Sequence, residues 1–221
     1  MSAATNVVQL KELLALKVPG ARLGMPGSEP KSRWPTGIKK VDALLQGGLA
    51  KGAMTELVTP PTGSGGAMII QALLQQSCDT KQWMALIDGQ DSFDPGPVGN
   101  RVLSRLLWVR CETAAQAIQC ADLILRDHNL PLIVLDIAFN PAQQLRIIPA
   151  STWHRFRRLI EDQFTAFALL TPNAMVSSVQ ERLFFDAHFS IKALDQTREE
   201  LLERLEVVDA NQQIEETRKW A

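Results

Sequence analysis

Residues 53–70 set a glycine-rich turn between two apolar runs, a pattern that specifies a strand, a tight turn and a helix. The stretch reads Ala-Met-Thr-Glu-Leu-Val, then Thr-Pro-Pro-Thr-Gly-Ser-Gly-Gly, then Ala-Met-Ile-Ile at helical spacing. The phosphate-binding sequence G-x-x-x-x-G-K-[ST] occupies the same setting. There, backbone N–H groups cradle phosphates, the Lys neutralises them and the hydroxyl holds Mg²⁺. With Gly65 aligned as the last loop glycine, Gly66 stands at the Lys position and Ala67 at the hydroxyl position. The turn keeps Gly63, Gly65 and Gly66 without the cation, which points to binding rather than turnover. A permissive turn with no ligand and weak anion binding by helix-start N–H groups both remain open on these residues.

From residue 36 onward strand and helix patterns alternate. A helix is predicted at about 38–46, carried by Ile38, Val41, Leu44 and Leu45 and ended by Gly47-Gly48. Strands are predicted at about 54–58, 83–87, 106–109, 131–136 and 166–170, with helices at about 66–77, 114–127 and 152–163. Runs such as Leu132-Ile133-Val134-Leu135 are unbroken, as in strands covered on both faces by crossover helices. The expected fold is α/β, with a mostly parallel sheet flanked by helices. Residues 189–208 fit two patterns. Phe189, Ile191 and Ala193 alternate, Leu201, Leu202 and Leu205 suit a helix, and the expectation is a strand, a turn and a final strand.

Ahead of this lies an arm. Over Asn6–Lys17, Val7, Leu10, Leu13 and Leu14 make the apolar stripe of an amphipathic helix. Residues 18–37 are rich in Pro and Gly and read as a linker. The chain thus divides into an arm with its linker, 1–33, and an α/β domain, 34–221. So short a helix is not stable alone in water, so it docks on its own domain, on a partner or on a second copy.

Composition removes several classes of function. The 221 residues hold 23 Lys+Arg against 24 Asp+Glu, so nucleic-acid binding needs a local patch rather than a bulk field. No run reaches the ~18–20 apolar residues that span a bilayer, so no membrane attachment is expected. Cys78, Cys111 and Cys120 show no C-x-x-C spacing, which fits packing in a reduced cytoplasm, and three scattered histidines suggest no metal site. The best basic patch is 151–159, with Ser151 as N-cap, Trp153, Phe156 and Ile160 facing inward, and Arg155, Arg157 and Arg158 facing out. Either it is a solvated face with an Arg158–Asp162 pair, or it contacts nucleic acid or an acidic partner.

Four segments in order resemble the RecA recombinase superfamily. Thr36-Gly37-Ile38, Val41-Asp42, Leu45, Gly47-Gly48-Leu49, Gly52 and Glu56 look like its lead-in to the nucleotide loop. Ile87-Asp88-Gly89-Gln90-Asp91-Ser92-Phe93-Asp94-Pro95 resembles its acidic motif, and Ala114–Asp127 followed by Pro131–Asp136 its next helix and second phosphate motif. The resemblance spans roughly residues 34–192 and implies a RecA-like core in which Asp136 would support a metal. Gln90 stands where that family's acidic motif carries the glutamate that activates water, and an amide cannot take up that proton. The absent Lys removes a charge-assisted contact of about 1.5–3 kcal/mol, and Ala67 removes a Mg²⁺ ligand.

The resemblance therefore implies no catalytic residue, no cofactor and no enzyme, with Gly63, Gly65, Gly66, Gln90 and Asp136 as a degenerate, vestigial site. The two loops through which recombinases grip DNA also look curtailed, at Ile137–Ser151 and at about sixteen residues between Thr171 and His188. Within the superfamily the chain is most similar to the ImuA family. That implies a non-catalytic adaptor in SOS DNA-damage tolerance, serving translesion synthesis. Its partners would be polymerase-like or recombinase proteins, with single-stranded DNA as a further contact and homo-oligomers forming through the arm. The alternatives are a division inhibitor like the SulA-related families and a recombinase paralogue that binds nucleotide weakly.

Overall fold

The computed structural model describes residues 32–61, 65–187, 189, 193 and 195–210. The arm with Val7, Leu10, Leu13 and Leu14 lies outside the described residues, as does Gly63. A short antiparallel pair, β1 (Arg33–Trp34) and β2 (Leu49–Ala50), brackets helix α1 (Lys39–Leu44). Trp34, within the span read as linker, is 2% exposed and belongs to the core. The domain core therefore reaches into that span, anchored by the buried indole.

The main sheet has seven strands: β3 (Ala53–Val58), β4 (Met84–Asp88), β5 (Leu106–Arg110), β6 (Leu132–Asp136), β7 (Ala166–Thr171), β8 (Glu181–Asp186) and β9 (Glu206–Asp209). Their spatial order is β5-β4-β6-β7-β3-β8-β9, parallel throughout except for β9, which runs antiparallel to β8. The unbroken apolar runs are the central strands, and their period of two splits them between two cores. Leu132 and Val134 join one, with Ile69, Leu73 and Leu74 of α2 (Gly66–Asp79). Ile133 and Leu135 join the other, with Ala117 and Ala121 of α4 (Ala114–Asp127) and Trp153 and Phe156 of α6 (Ala150–Ile160). Short helices α3 (Asn100–Leu103) and α5 (Ala142–Arg146) complete the crossovers.

Sequence expectation and structure part at three places. Helix α6 starts at Ala150 behind Pro149 at the N-cap, so Ser151 lies inside its first turn and does not cap it. Pro149 has φ −66° and ψ 141°, an extended residue ahead of a helix that needs no N–H from it. A strand not expected from the sequence runs at Glu181–Asp186, with Leu183 and Phe185 as its buried pair; most of the strand expected from His188 through Ala193 lies outside the described residues. Residues Arg198–Arg204, expected as turn and strand, form helix α7, fixed by a capping box in which Thr197 and Glu200 satisfy each other's backbone N–H; the final strand is Glu206–Asp209.

The β7–β8 connection, residues 172–180, crosses over β3 with no helix. Coil laid across a sheet carries backbone donors that no strand can pair. Glu56 of β3, 0% exposed, supplies the acceptor: its Oε1 receives Met175 N (2.9 Å), Val176 N (3.1 Å) and the Thr171 hydroxyl (3.0 Å). Arg182, opposite Glu56 in the register, ion-pairs with its Oε2 and donates to Val176 O at 2.7 Å. Removing one partner of such a buried pair costs about 3–5 kcal/mol. Glu56→Ala is expected to lose stability of that order in urea unfolding, and Glu56→Gln less, since its amide oxygen still accepts N–H bonds. Loss below about 1 kcal/mol for Glu56→Ala would contradict this role for the carboxylate.

Candidate functional site

The turn after β3 feeds the N-terminus of α2. Gly65, its N-cap, sits at φ 73°, a left-handed conformation that favours glycine, and a Cβ there would push against the end of the Leu205 side chain, Cδ2 at 2.5 Å. Gly66 is different. A Cβ there would touch Thr59 Cβ at 3.6 Å and Leu170 Cδ2 at 3.9 Å, ordinary contacts. Backbone crowding therefore does not explain the missing lysine. Thr59 is 1% exposed, and its hydroxyl has no hydrogen-bond partner among the described residues.

Two carboxylates end adjacent strands, Asp88 on β4 and Asp136 on β6, in direct register. Asp88 organises the acidic loop. Its Oδ1 accepts from Ser92 N at 2.9 Å, and its Oδ2 accepts from Phe93 N at 2.9 Å and Trp108 Nε1 at 3.3 Å. Asp136 Oδ1 accepts from Ala138 N at 3.0 Å, the local backbone bond open to an Asp at a strand end. Burial pushes the Asp136 carboxyl up to about 7; the Ala138 N–H pulls the other way, and the nearby Asp88 charge adds to the rise.

Gln90 is exposed, and its Oε1 accepts from Asn140 Nδ2 at 3.2 Å. The same Asn140 amide donates to Gly89 O at 2.7 Å, and a Cβ on Gly89 would stand 2.3 Å from Asn140 Oδ1. Asn140 thus clips the acidic loop to the segment after β6. Sequence reading assigned Asn140 no role; the Asn140-Pro141 pair two residues beyond the buried Ile137-Ala138 was the available signal of a fixed turn.

The basic face of α6 is largely engaged by its own carboxylates. Arg155 bonds Asp122 of α4 at 2.8 Å, and Arg126 bonds the same carboxylate at 2.7 Å. Arg157 faces Glu161 at 3.9 Å. Arg158 lies on the exposed side of the same helix, whereas Trp153, Phe156 and Ile160 are buried as expected. Helix α6 packs in the core on the sheet face opposite α2, so Arg155, Arg157 and Arg158 are not brought together with the start of α2. Cys111 and Cys120 face each other at 4.0 Å, with the Cys111 thiol pushed up to about 12 chiefly by burial.

For a nucleotide with Mg²⁺, the fit is poor: the turn brings no cation, no hydroxyl at position 67 and no carboxylate at position 90. Protein RecA of Xylella fastidiosa (strain M12) is 32% identical over 120 residues, 52% of this chain and 34% of that protein. Protein RecA of Frankia alni is 30% identical over 118 residues, again 52% and 34%. Protein RecA of Xanthomonas euvesicatoria pv. vesicatoria is 32% identical over 107 residues, 46% and 30%. No protein-family profile matches the chain. The match covers about a third of the length of these relatives, and with the seven-stranded, mostly parallel sheet it supports a RecA-like relationship.

Asp136 makes stability depend on pH. Its folded pKa of about 7 lies above the ~3.9 of an unfolded Asp. Between these values the native state keeps a proton that the unfolded chain has lost, so stability falls as pH rises from about 4 to 7. Asp136→Asn keeps an acceptor for Ala138 N–H and removes this titration. It is expected to exceed the parent by on the order of 2–4 kcal/mol at pH 8 and by nearly nothing at pH 4. Urea unfolding at both values measures this; equal stability at pH 8 would contradict it.

Proposed function

We propose that the chain is a non-catalytic, RecA-like accessory protein in DNA-damage tolerance, acting in translesion synthesis through contacts with polymerase-like or recombinase proteins. The observation that carries this reading is Gln90, whose side-chain oxygen accepts a hydrogen bond from Asn140 where a water-activating carboxylate would stand. An amide held in this way offers no base for phosphoryl transfer. Gly66 and Ala67 remove the charge and the metal ligand from the same place. The short connections at 137–149 and 172–180 leave little chain for a recombinase-like grip on DNA, so single-stranded DNA is at most an accessory contact. The arm with Val7, Leu10, Leu13 and Leu14 supplies a second surface, for a partner or another copy.

A second reading, weak anion binding without turnover, is favoured by one observation: the buried Thr59 hydroxyl, without a hydrogen-bond partner among the described residues, lies close to the first residue of α2. Backbone N–H groups at such a helix start attract phosphate. Affinity in the high micromolar range or weaker would follow, roughly 6 kcal/mol or less.

Phosphate release from ATP, with and without single-stranded DNA, is expected to match buffer. In cells, removing the gene should abolish damage-induced mutagenesis, and the Asp136→Asn protein should restore it. Turnover that disappears in Asp136→Ala would overturn the non-catalytic reading. Normal mutagenesis with altered division after damage would move the assignment to a division inhibitor.

A further inference from the structure

Two cavities open side by side where the segment after β6 meets α4 and α6. The larger, about 490 Å³, lies between that segment and the β7–β8 crossover, with Phe139, Trp153 and Met175 among its walls. The smaller, about 430 Å³, lies against Ala115 and Ile118 of α4 and Pro149. Ile148 lines both, forming the ridge between them. The rim is apolar and wet: Ile147 is 75% exposed and Phe139 52%. Exposed side chains of this size grouped around preformed concavities mark a docking surface.

The walls are held in place from beneath. Glu56 fixes Met175 through its backbone N–H, and Asn140 fixes the segment after β6 through Gly89 O. Gln144 Oε1 accepts from Ala114 N at 2.9 Å, tying α5 to the start of α4. Among the described residues, Arg146 is the only charged side chain lining either cavity, and it is exposed.

We propose that this surface docks an acidic, amphipathic segment of a protein partner, with one apolar side chain in each cavity and a carboxylate on Arg146. This deepens the accessory reading and rests on it for the partner being a protein. Charge favours that occupant over the alternatives. Nucleic acid needs several cations along its backbone, and this surface has one, while Arg155 and Arg157 are engaged elsewhere. The chain's own arm carries Lys11 and Lys17 against Glu12, so it brings no net negative charge to Arg146. A central apolar anchor with a charged contact at the rim is how small docking surfaces gain both affinity and selectivity.

The test is selection from a displayed library of random peptides, about sixteen residues long, against the full chain. Winners are then measured by fluorescence anisotropy on the parent, Ile147→Asp and Arg146→Glu proteins. Both positions are exposed, so unchanged thermal midpoints should accompany the variants. Expected are net-negative peptides with two large apolar residues whose binding falls about tenfold or more in each variant. No enrichment, winners indifferent to both substitutions, or winners of net positive charge would overturn the proposal. So would displacement of the winners by an oligo-dT strand or by a peptide of residues 1–31, which would assign the surface to nucleic acid or to the arm. Phosphate release is measured on the same preparation. Turnover with docking intact would count against the accessory reading alone, and lost docking without turnover against the docking surface alone.

Discussion

The buried carboxylate of Glu56 is the interaction on which the β7–β8 crossover and the surface built on it depend. A parallel sheet needs a crossover between β7 and β8, and the chain provides coil where the other crossovers provide helices. Coil over a sheet face would leave backbone N–H groups dry and unpaired, at about 1–3 kcal/mol each. Glu56 and Arg182 answer both polarities at once, the acid taking Met175 N and Val176 N and the guanidinium reaching Val176 O. The fixed loop then forms one wall of the larger cavity, so a core ion pair sets the shape of a surface feature.

The C-terminal ends of β4 and β6 show what their polar residues do for the backbone. Asp88 folds the acidic loop around itself, Asp136 turns the backbone after β6, and Gln90 shares Asn140 with Gly89 O. Each side chain stabilises a turn locally. A buried carboxyl raised to about 7 is a cost that a metal ion or a cation beside Asp136 would relieve, and the described residues place neither a lysine nor an arginine against it. The geometry is suited to presenting rigid walls to a partner.

Much of this was legible in the sequence because it rested on period. The unbroken runs of β4, β6 and β7 pointed to a parallel sheet, and α4 runs over the expected 114–127, with Thr113 capping its start and αL His128 ending it in the structure. Period failed where charge sits inside. Glu181 and Arg182 look like surface residues, so β8 went unrecognised in the sequence, although Arg182 is at the heart of the Glu56 network. Trp34 stood at the start of the expected domain yet inside the Pro/Gly-rich span, and its burial left no trace there because one buried side chain gives no pattern. At the site, Gly66, Ala67 and Gln90 were readable as substitutions in a known spacing. The clip by Asn140 and the approach of Leu205 to Gly65 were not, because both join residues 50 or more positions apart.

The most direct measurement is the thermal midpoint of the full chain with Mg²⁺ and about 1 mM ATP, compared with Mg²⁺ alone. A ligand at a hundredfold its Kd stabilises by about 2.7 kcal/mol, a shift of several degrees for a domain of this size. With the cation, hydroxyl and carboxylate absent from positions 66, 67 and 90, the two midpoints are expected to agree within about a degree. A rise of several degrees that requires both Mg²⁺ and the triphosphate would show a working nucleotide site and contradict the reading of positions 66, 67 and 90 as a lost one.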